Sequence, residues 1–206
     1  MSDLSAHEAI MTLGRPIFTS KEIAAMTGRS PASISTSLKK LQEKEIIARV
    51  IRGVWANAND PRFNLLSIVP FLTQGHQTYI SFITALHIHG IISQIPQVIY
   101  AASTMHTKVI KTPFATYSVH QISPPFFAGF NWHKGKENFL IATPEKALVD
   151  SLYLSSRRGR KFRYFPELSF SANFSFRKAR EWTGLIKEER IKKYIYRKLE
   201  EMERQV

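Results

Sequence analysis

Two helix starts that follow each other closely near the N-terminus constrain the fold of this chain most strongly. Thr19 and Glu22 have the spacing of a capping box, which predicts a helix that begins directly after Thr19. Gly28 predicts the turn that ends this helix. Ser30 and Pro31 have the order of an N-cap and a first helical position, where the missing N–H of proline costs nothing. Two helices joined by a glycine-containing turn are typical of a helix-turn-helix.

The second of these helices is expected to run to about Lys44, and its two faces differ. Ile34, Leu38 and Leu41 recur at helical spacing and predict its buried side. The opposite side carries small hydroxyl groups and cations, with one arginine just ahead of the helix: Ser33, Thr36, Lys39, Lys40 and Arg29. Small hydroxyl groups let a helix approach base edges closely, and the cations reach phosphates. This face therefore predicts contact with double-stranded DNA.

A short hairpin is expected directly after this helix. Residues 47–50 and 54–56 have the pattern of two strands around a tight turn, and Arg49 and Arg52 project from them. Wing arginines of this kind usually meet the DNA backbone or the minor groove. Together with a first helix expected over 4–13, this order predicts a winged helix-turn-helix. The alternative is an ordinary small helical domain with a solvated polar face.

The turn-rich run NANDP at 57–61 predicts a boundary between two domains. The predicted fold class is α+β, a winged helix-turn-helix over 1–58 followed by a mixed α/β domain over 59–206. In the second domain we expect strands over 97–102, 108–111, 115–122 and 138–142, and helices over 78–92, 143–154, 176–185 and 188–203. A domain of this size with its own apolar helices and strands is expected to fold independently.

The net charge of +13 favours a polyanionic partner, above all a nucleic acid. Residues 61–206 carry most of it, with 21 Lys and Arg against 10 Asp and Glu. One cluster places five cations in seven residues, with Phe162 and Tyr164 interleaved: Arg157, Arg158, Arg160, Lys161 and Arg163. Three cations of the last helix, Lys192, Lys193 and Arg197, can extend this cluster. It is either a solvated loop or a phosphate-binding patch whose aromatic rings are available to stack on bases.

The sequence offers no motif for catalysis or metal binding. The chain has no cysteine, and its seven histidines lack the spacing of a metal site. No P-loop and no G-x-S-x-G elbow occur, and Glu145 and Asp150 are five apart on one helix, where they do not face each other. We therefore expect no catalytic residue, no metal and no cofactor. The absence of a signal peptide and of a membrane-spanning run predicts a cytoplasmic protein with no membrane partner.

Motifs along most of the chain resemble the AbiEi-type antitoxins of bacterial abortive-infection, or type IV toxin–antitoxin, systems. The first is RxxRGVWANA at 49–58, which ends the winged helix. The more specific ones follow in order: YISFITALHIHGIISQIP at 79–96, VIYAAS at 98–103, TPFATYSVHQI at 112–122 and ATPEKALVDSLYL at 142–154. Most of these residues are apolar or capping residues, so they describe a fold more than a site.

The resemblance implies two roles in phage defence. The winged helix would repress its own operon by binding inverted repeats at the promoter. The C-terminal domain would oppose a nucleotidyltransferase-like toxin, without necessarily forming a stable complex with it. The basic cluster would then lengthen the DNA footprint, face the toxin, or hold an RNA that the toxin would otherwise modify. The other open reading is a plain transcriptional regulator whose second domain dimerises or senses a ligand.

Overall fold

The computed structural model describes residues 4–73, 75–133, 139–157, 162 and 166–205. Its N-terminal part contains three helices and three short strands: α1 (Ala6–Leu13), β1 (Ile17–Thr19), α2 (Ser20–Thr27), α3 (Pro31–Glu43), β2 (Ala48–Ile51) and β3 (Val54–Ala56). The strands form one antiparallel sheet in the order β1-β3-β2. This arrangement confirms the winged helix-turn-helix, in which β2 and β3 form the wing.

The helix ends follow the capping chemistry of the sequence. Thr19 and Glu22 form the expected capping box at the start of α2, and Gly28 ends α2 in the left-handed conformation. Ser30 caps α3, with its hydroxyl accepting the N–H of Ser33. The helix expected over 4–13 begins later, at Ala6, because Ser5 forms a capping box of its own with Glu8. Strand β1 is the one element of this part that the sequence did not predict.

The larger part of the chain is built on a six-stranded mixed sheet of order β6-β7-β5-β4-β9-β8. Its strands are β4 (Thr78–Ile80), β5 (Ile99–Ser103), β6 (Lys108–Lys111), β7 (Thr116–Gln121), β8 (Phe130–Trp132) and β9 (Leu140–Ala142). Its helices are α4 (Val69–Leu72), α5 (Phe82–Ile88), α6 (Pro144–Ser155), α7 (Phe176–Gly184) and α8 (Glu189–Glu203), with 3₁₀ turns at Leu65–Ile68 and Pro124–Phe126. The α+β fold class is confirmed.

The helix expected over 78–92 is wrong at both ends. Thr78–Ile80 is a central strand instead, antiparallel to β5 and parallel to β9, and the helix covers only Phe82–Ile88. Apolar residues in a short run fit a buried strand and a buried helix equally well, so periodicity could not separate the two. The four expected strands are each found within two residues of their predicted bounds, whereas edge strand β8 was not predicted.

The three-stranded sheet is shared by two hydrophobic cores. Phe18 and Trp55, which pair across β1 and β3, belong to the core of the helix-turn-helix. Ile17, Val54 and Ala56 alternate with them and belong to the core of the larger part. Successive side chains of a strand point to opposite faces, so one sheet contributes to both cores. The division at 58/59 therefore stays a prediction, because part of the larger core comes from before it.

Arg62 ties the segment after β3 back to the first helix. Its guanidinium donates to the backbone oxygen of Gly14 at 2.5 Å and pairs with the carboxylate of Asp60 at 2.7 Å. The hydrogen bonds from Arg62 lower the pKa of Asp60 to about 2. The predicted boundary segment is thus held against the N-terminal helices by a side-chain hydrogen bond.

Candidate nucleic-acid interface

Helix α3 presents the polar face that the sequence predicted. Ile34 and Leu38 are fully buried in the N-terminal core, whereas Thr36, Lys39 and Lys40 are exposed. The hydroxyl of Thr36 donates to the backbone oxygen of Ala32 at 3.2 Å, so its oxygen can still accept a hydrogen bond. The exposed surface of α3 therefore combines small polar groups with two cations.

The predicted arginines lie at both ends of this surface. Arg29 donates from its guanidinium to the hydroxyl of Ser33 at 2.6 Å, so these two residues are joined at the start of α3. Arg52 is exposed at the tip of the wing, and Arg49 is exposed on β2 with its Nε 3.4 Å from the backbone oxygen of Ile51. Whether these side chains contact DNA stays a prediction.

Among the described residues, no carboxylate neutralises the cations of this surface. Within the described part of the chain, Lys39, Lys40, Arg49 and Arg52 form no ion pair. An exposed cation without a carboxylate partner retains its full attraction for phosphate. The charge on α3 and the wing is therefore available to an external anion.

The wing is attached to the helix-turn-helix by two hydrogen bonds that converge on Ser20. The backbone N–H of Ser20 donates to the oxygen of Gly53 at 2.9 Å. The buried indole of Trp55 donates to the hydroxyl of Ser20, also at 2.9 Å. These bonds hold the wing turn at the start of α2, and no local sequence pattern indicated them.

Four of the five cations in the cluster at 157–163 lie outside the described residues: Arg158, Arg160, Lys161 and Arg163. Arg157 is described and exposed, with its guanidinium 4.6 Å from the ring centre of Tyr153. The end of α6 lies against α8 through a 3.2 Å contact between the hydroxyls of Ser155 and Tyr194. The structure thus places Arg157 two residues beyond the end of α6, the helix that packs against α8 and its cations.

The α8 cations differ from those of α3 because carboxylates of the same helix pair with two of them. Lys192 binds Glu189 at 2.8 Å, and Arg197 lies 3.7 Å from Glu201. Lys193 is exposed and forms no ion pair within the described residues. Internal pairing weakens the attraction of this surface for phosphate relative to that of α3.

Phe162 packs against the core on part of its surface. Its ring lies 5.0 Å from the Tyr100 ring and 5.7 Å from the buried Phe82 ring, and it also meets His120. The ring is half-buried, so stacking on a base through its remaining surface stays a prediction. Tyr164 lies outside the described residues.

The two fully buried charged side chains of the described residues form a network that sequence reasoning missed. Lys146 pairs with Asp150 one turn later on α6, and both side chains are fully buried. Asp150 also accepts from Tyr79 at 3.0 Å and from Ser81 at 2.7 Å, while Lys146 donates to the Tyr79 oxygen at 3.0 Å. Burial lowers the pKa of Lys146 and raises the pKa of Asp150. The (i, i+4) spacing of lysine and aspartate was the available signal.

Glu145 has a structural role beyond the helix dipole. Its carboxylate lies in the first turn of α6 and accepts the N–H of Ser175, the cap of α7, at 3.2 Å. It therefore joins the starts of two helices. It also lines a cleft of about 450 Å³ together with Glu181, Lys178 and Trp182. Within the described residues no group of three acidic or histidine side chains could hold a metal ion.

No described helix is long and apolar enough to cross a membrane. No curated protein matches the chain. Residues 13–58, which include α2, α3 and the wing, match the model of a family described as "Transcriptional regulator, AbiEi antitoxin". That is a family of regulators and not of enzymes. The N-terminal part of this chain is therefore similar to the AbiEi antitoxin transcriptional regulators, which confirms over residues 13–58 the resemblance found in the sequence.

Proposed function

We propose that this chain represses its own promoter by binding inverted repeats through α3 and the wing, and that it also acts as an antitoxin. The observation that carries the first role is the set of exposed cations without carboxylate partners that surrounds the hydroxyl groups of α3. This surface lies within the segment that matches a regulator family. A fixed wing and a polar helix face are the two parts that a winged helix presents to DNA.

The roles of the individual side chains follow from their place on this surface. Thr36 and Ser33 lie on the helix face, where small hydroxyl groups meet base edges. Lys39 and Lys40 extend past them toward phosphates, and Arg52 reaches the backbone or minor groove from the wing tip. Arg29 and Arg49 flank the surface at its two sides.

The test is a titration of promoter DNA with the full chain at several salt concentrations, followed by fluorescence anisotropy. Lys40→Ala and Arg52→Ala should each weaken binding to every sequence and reduce the salt slope by about 0.9, as the loss of one phosphate contact does. Thr36→Ala should change the preferred sequence instead. Lys111→Ala, an exposed cation on β6, is the matched control and should leave the slope unchanged.

A different result would reject the interface. If the Lys40→Ala and Arg52→Ala double variant binds the promoter with the affinity and salt slope of the wild type, then α3 and the wing do not carry DNA binding. Both side chains are exposed, so their removal should leave the fold intact, and the unfolding midpoint checks this.

For the second role, we propose that residues 59–206 oppose a nucleotidyltransferase-like toxin. The ordered motifs of this region resemble AbiEi-type antitoxins, and its charge offers a physical route. Arg157, just beyond the end of α6, and Lys193 on the neighbouring α8 are exposed cations, suited to the toxin's nucleic-acid substrate or to an acidic surface of the toxin. Arg157→Ala with Lys193→Ala should weaken binding to RNA in a gel shift, with Lys111→Ala as the control.

The two roles should be separable in the full-length chain. A co-expression experiment pairs a nucleotidyltransferase-like toxin with the Lys40→Ala and Arg52→Ala double variant. We expect this variant to restore growth while losing repression of the promoter. If rescue requires the intact α3 surface, protection works through repression alone, and the plain regulator becomes the better description. Full-length variants are needed because β1 and the wing strands complete the larger core.

A further inference from the structure

The most exposed side of α3 carries two hydroxyl groups within reach of a base edge. Positions i, i+3, i+4 and i+7 of a helix share one face. Four exposed residues of α3 have this spacing: Ala32, Ser35, Thr36 and Lys39. The buried residues Ile34 and Leu38 lie on the opposite side of the helix. A base that meets the exposed face therefore meets the hydroxyl of Ser35 or that of Thr36.

The hydroxyl of Thr36 has already used its one hydrogen. It donates to the backbone oxygen of Ala32, one turn earlier, at 3.2 Å. Accepting a hydrogen bond from a ligand keeps this bond and adds a second, whereas donating to a ligand breaks it. A hydroxyl that donates is also polarised, which strengthens it as an acceptor. Toward a ligand, Thr36 therefore acts as an acceptor.

The neighbouring hydroxyl groups are not restricted in this way. Ser35 makes no side-chain hydrogen bond within the described residues, so its hydroxyl is free to donate or to accept. Ser33 is half-buried at the border of the face and accepts from Arg29 at 2.6 Å, which leaves its hydrogen available to donate. Thr36 is therefore the hydroxyl of this surface whose role toward a base is fixed as acceptor.

An acceptor distinguishes the bases in the major groove of DNA. Adenine presents an amino group at N6 and cytosine presents one at N4, and both donate hydrogen bonds. Thymine and guanine present the carbonyl oxygens O4 and O6 instead. A carbonyl facing the Thr36 oxygen would bring two acceptors together with no hydrogen between them, which disfavours these bases.

We propose that Thr36 determines specificity by accepting a hydrogen bond from the amino group of an adenine or a cytosine, at one position in each half of the promoter site. This inference rests on the proposed binding of DNA by α3. It differs from the roles of Lys40 and Arg52, whose phosphate contacts strengthen binding to every sequence alike.

The experiment uses the full chain and DNA in which single functional groups are removed. The wild type first selects its preferred duplex from a random pool. Each adenine is then replaced by purine, which lacks the N6 amino group, and each cytosine by a pyrimidinone without the N4 amino group. A parallel series replaces purines by their 7-deaza analogues, which lack the N7 acceptor. Fluorescence anisotropy measures the affinity for each duplex.

We expect one position per half-site at which loss of the amino group weakens wild-type binding roughly two- to tenfold, the effect of losing one neutral hydrogen bond. Thr36→Val keeps the shape of the side chain without the hydroxyl and should lose this sensitivity. Thr36→Ser should retain it. Ser37→Ala is the matched control, because the Ser37 hydroxyl also donates one turn back, to the Ser33 oxygen at 3.1 Å, but lies half-buried away from the exposed face. It should show the wild-type pattern.

The proposal is overturned if Thr36→Val keeps every amino-group sensitivity of the wild type, or if the sensitivity that it loses is to a 7-deaza analogue. Failure of the proposed DNA interface gives a different result. In that case the Lys40→Ala and Arg52→Ala double variant binds the selected duplex as tightly as the wild type does. A wild type that selects no sequence from the pool rejects both proposals.

Discussion

The buried Lys146–Asp150 pair gives the sharpest test of what holds the larger part of the chain together. Lys146→Met removes the cation but keeps an unbranched apolar side chain of similar length. Asp150, which is fully buried, then retains only the hydroxyls of Tyr79 and Ser81 as partners. Breaking a buried ion pair from one side costs about 3–5 kcal/mol because an uncompensated charge remains. We expect the free energy of unfolding to fall by about that amount.

The reciprocal variant and the double variant separate the charge from the packing. Asp150→Leu should cost a similar free energy, since it leaves the Lys146 ammonium, 3.7 Å above the Phe126 ring, without its carboxylate. In Lys146→Met with Asp150→Leu no buried charge remains. The double variant should therefore be no less stable than either single variant, although the Tyr79 and Ser81 hydroxyls lose their acceptor.

Urea unfolding followed by tryptophan fluorescence measures all four proteins, provided that the dependence on urea stays the same across the set. The coupling free energy is the difference between the double variant and the sum of the two single variants. If the single costs add up to the cost of the double variant, or if Lys146→Met costs less than about 1 kcal/mol, the two side chains do not act as a buried ion pair and the reasoning is refuted.

Three further predictions test the packing of the fold. Gly129→Ala should lower the free energy of unfolding by about 1–3 kcal/mol, because the new Cβ would lie 2.9 Å from an indole carbon of Trp182. Gly90→Ala is the control: Gly90 is also at positive φ but has open space around it, so this substitution should cost less in the same urea titration. Ser20→Ala removes the acceptor of the buried Trp55 N–H and should cost about 1–3 kcal/mol in urea unfolding. Val54→Asp puts a carboxylate into the larger core. It should lower the thermal midpoint of the whole chain and not that of the helix-turn-helix alone. Two separate calorimetric transitions would contradict this prediction.

The sequence by itself determined the elements whose signals are local. The caps of α2, α3 and α6 all come from a side chain that binds a backbone group three residues away, and each helix begins where its cap predicts. The sequence also predicted which side of α3 is polar, because the spacing of Ile34 and Leu38 determines the side that is buried. The family match over 13–58 covers this locally determined region.

Only the tertiary structure decided the features that depend on distant partners. Thr78–Ile80 is a strand because β5 and β9 lie on either side of it, and both come later in the chain. Phe162 packs against the core for a similar reason, since its ring meets residues far away in sequence. The exposure of Trp132 likewise follows from the position of β8 at the sheet edge. Capping acts within a single turn and can be read from neighbouring letters, whereas strand pairing and burial depend on which distant segments the whole fold brings together.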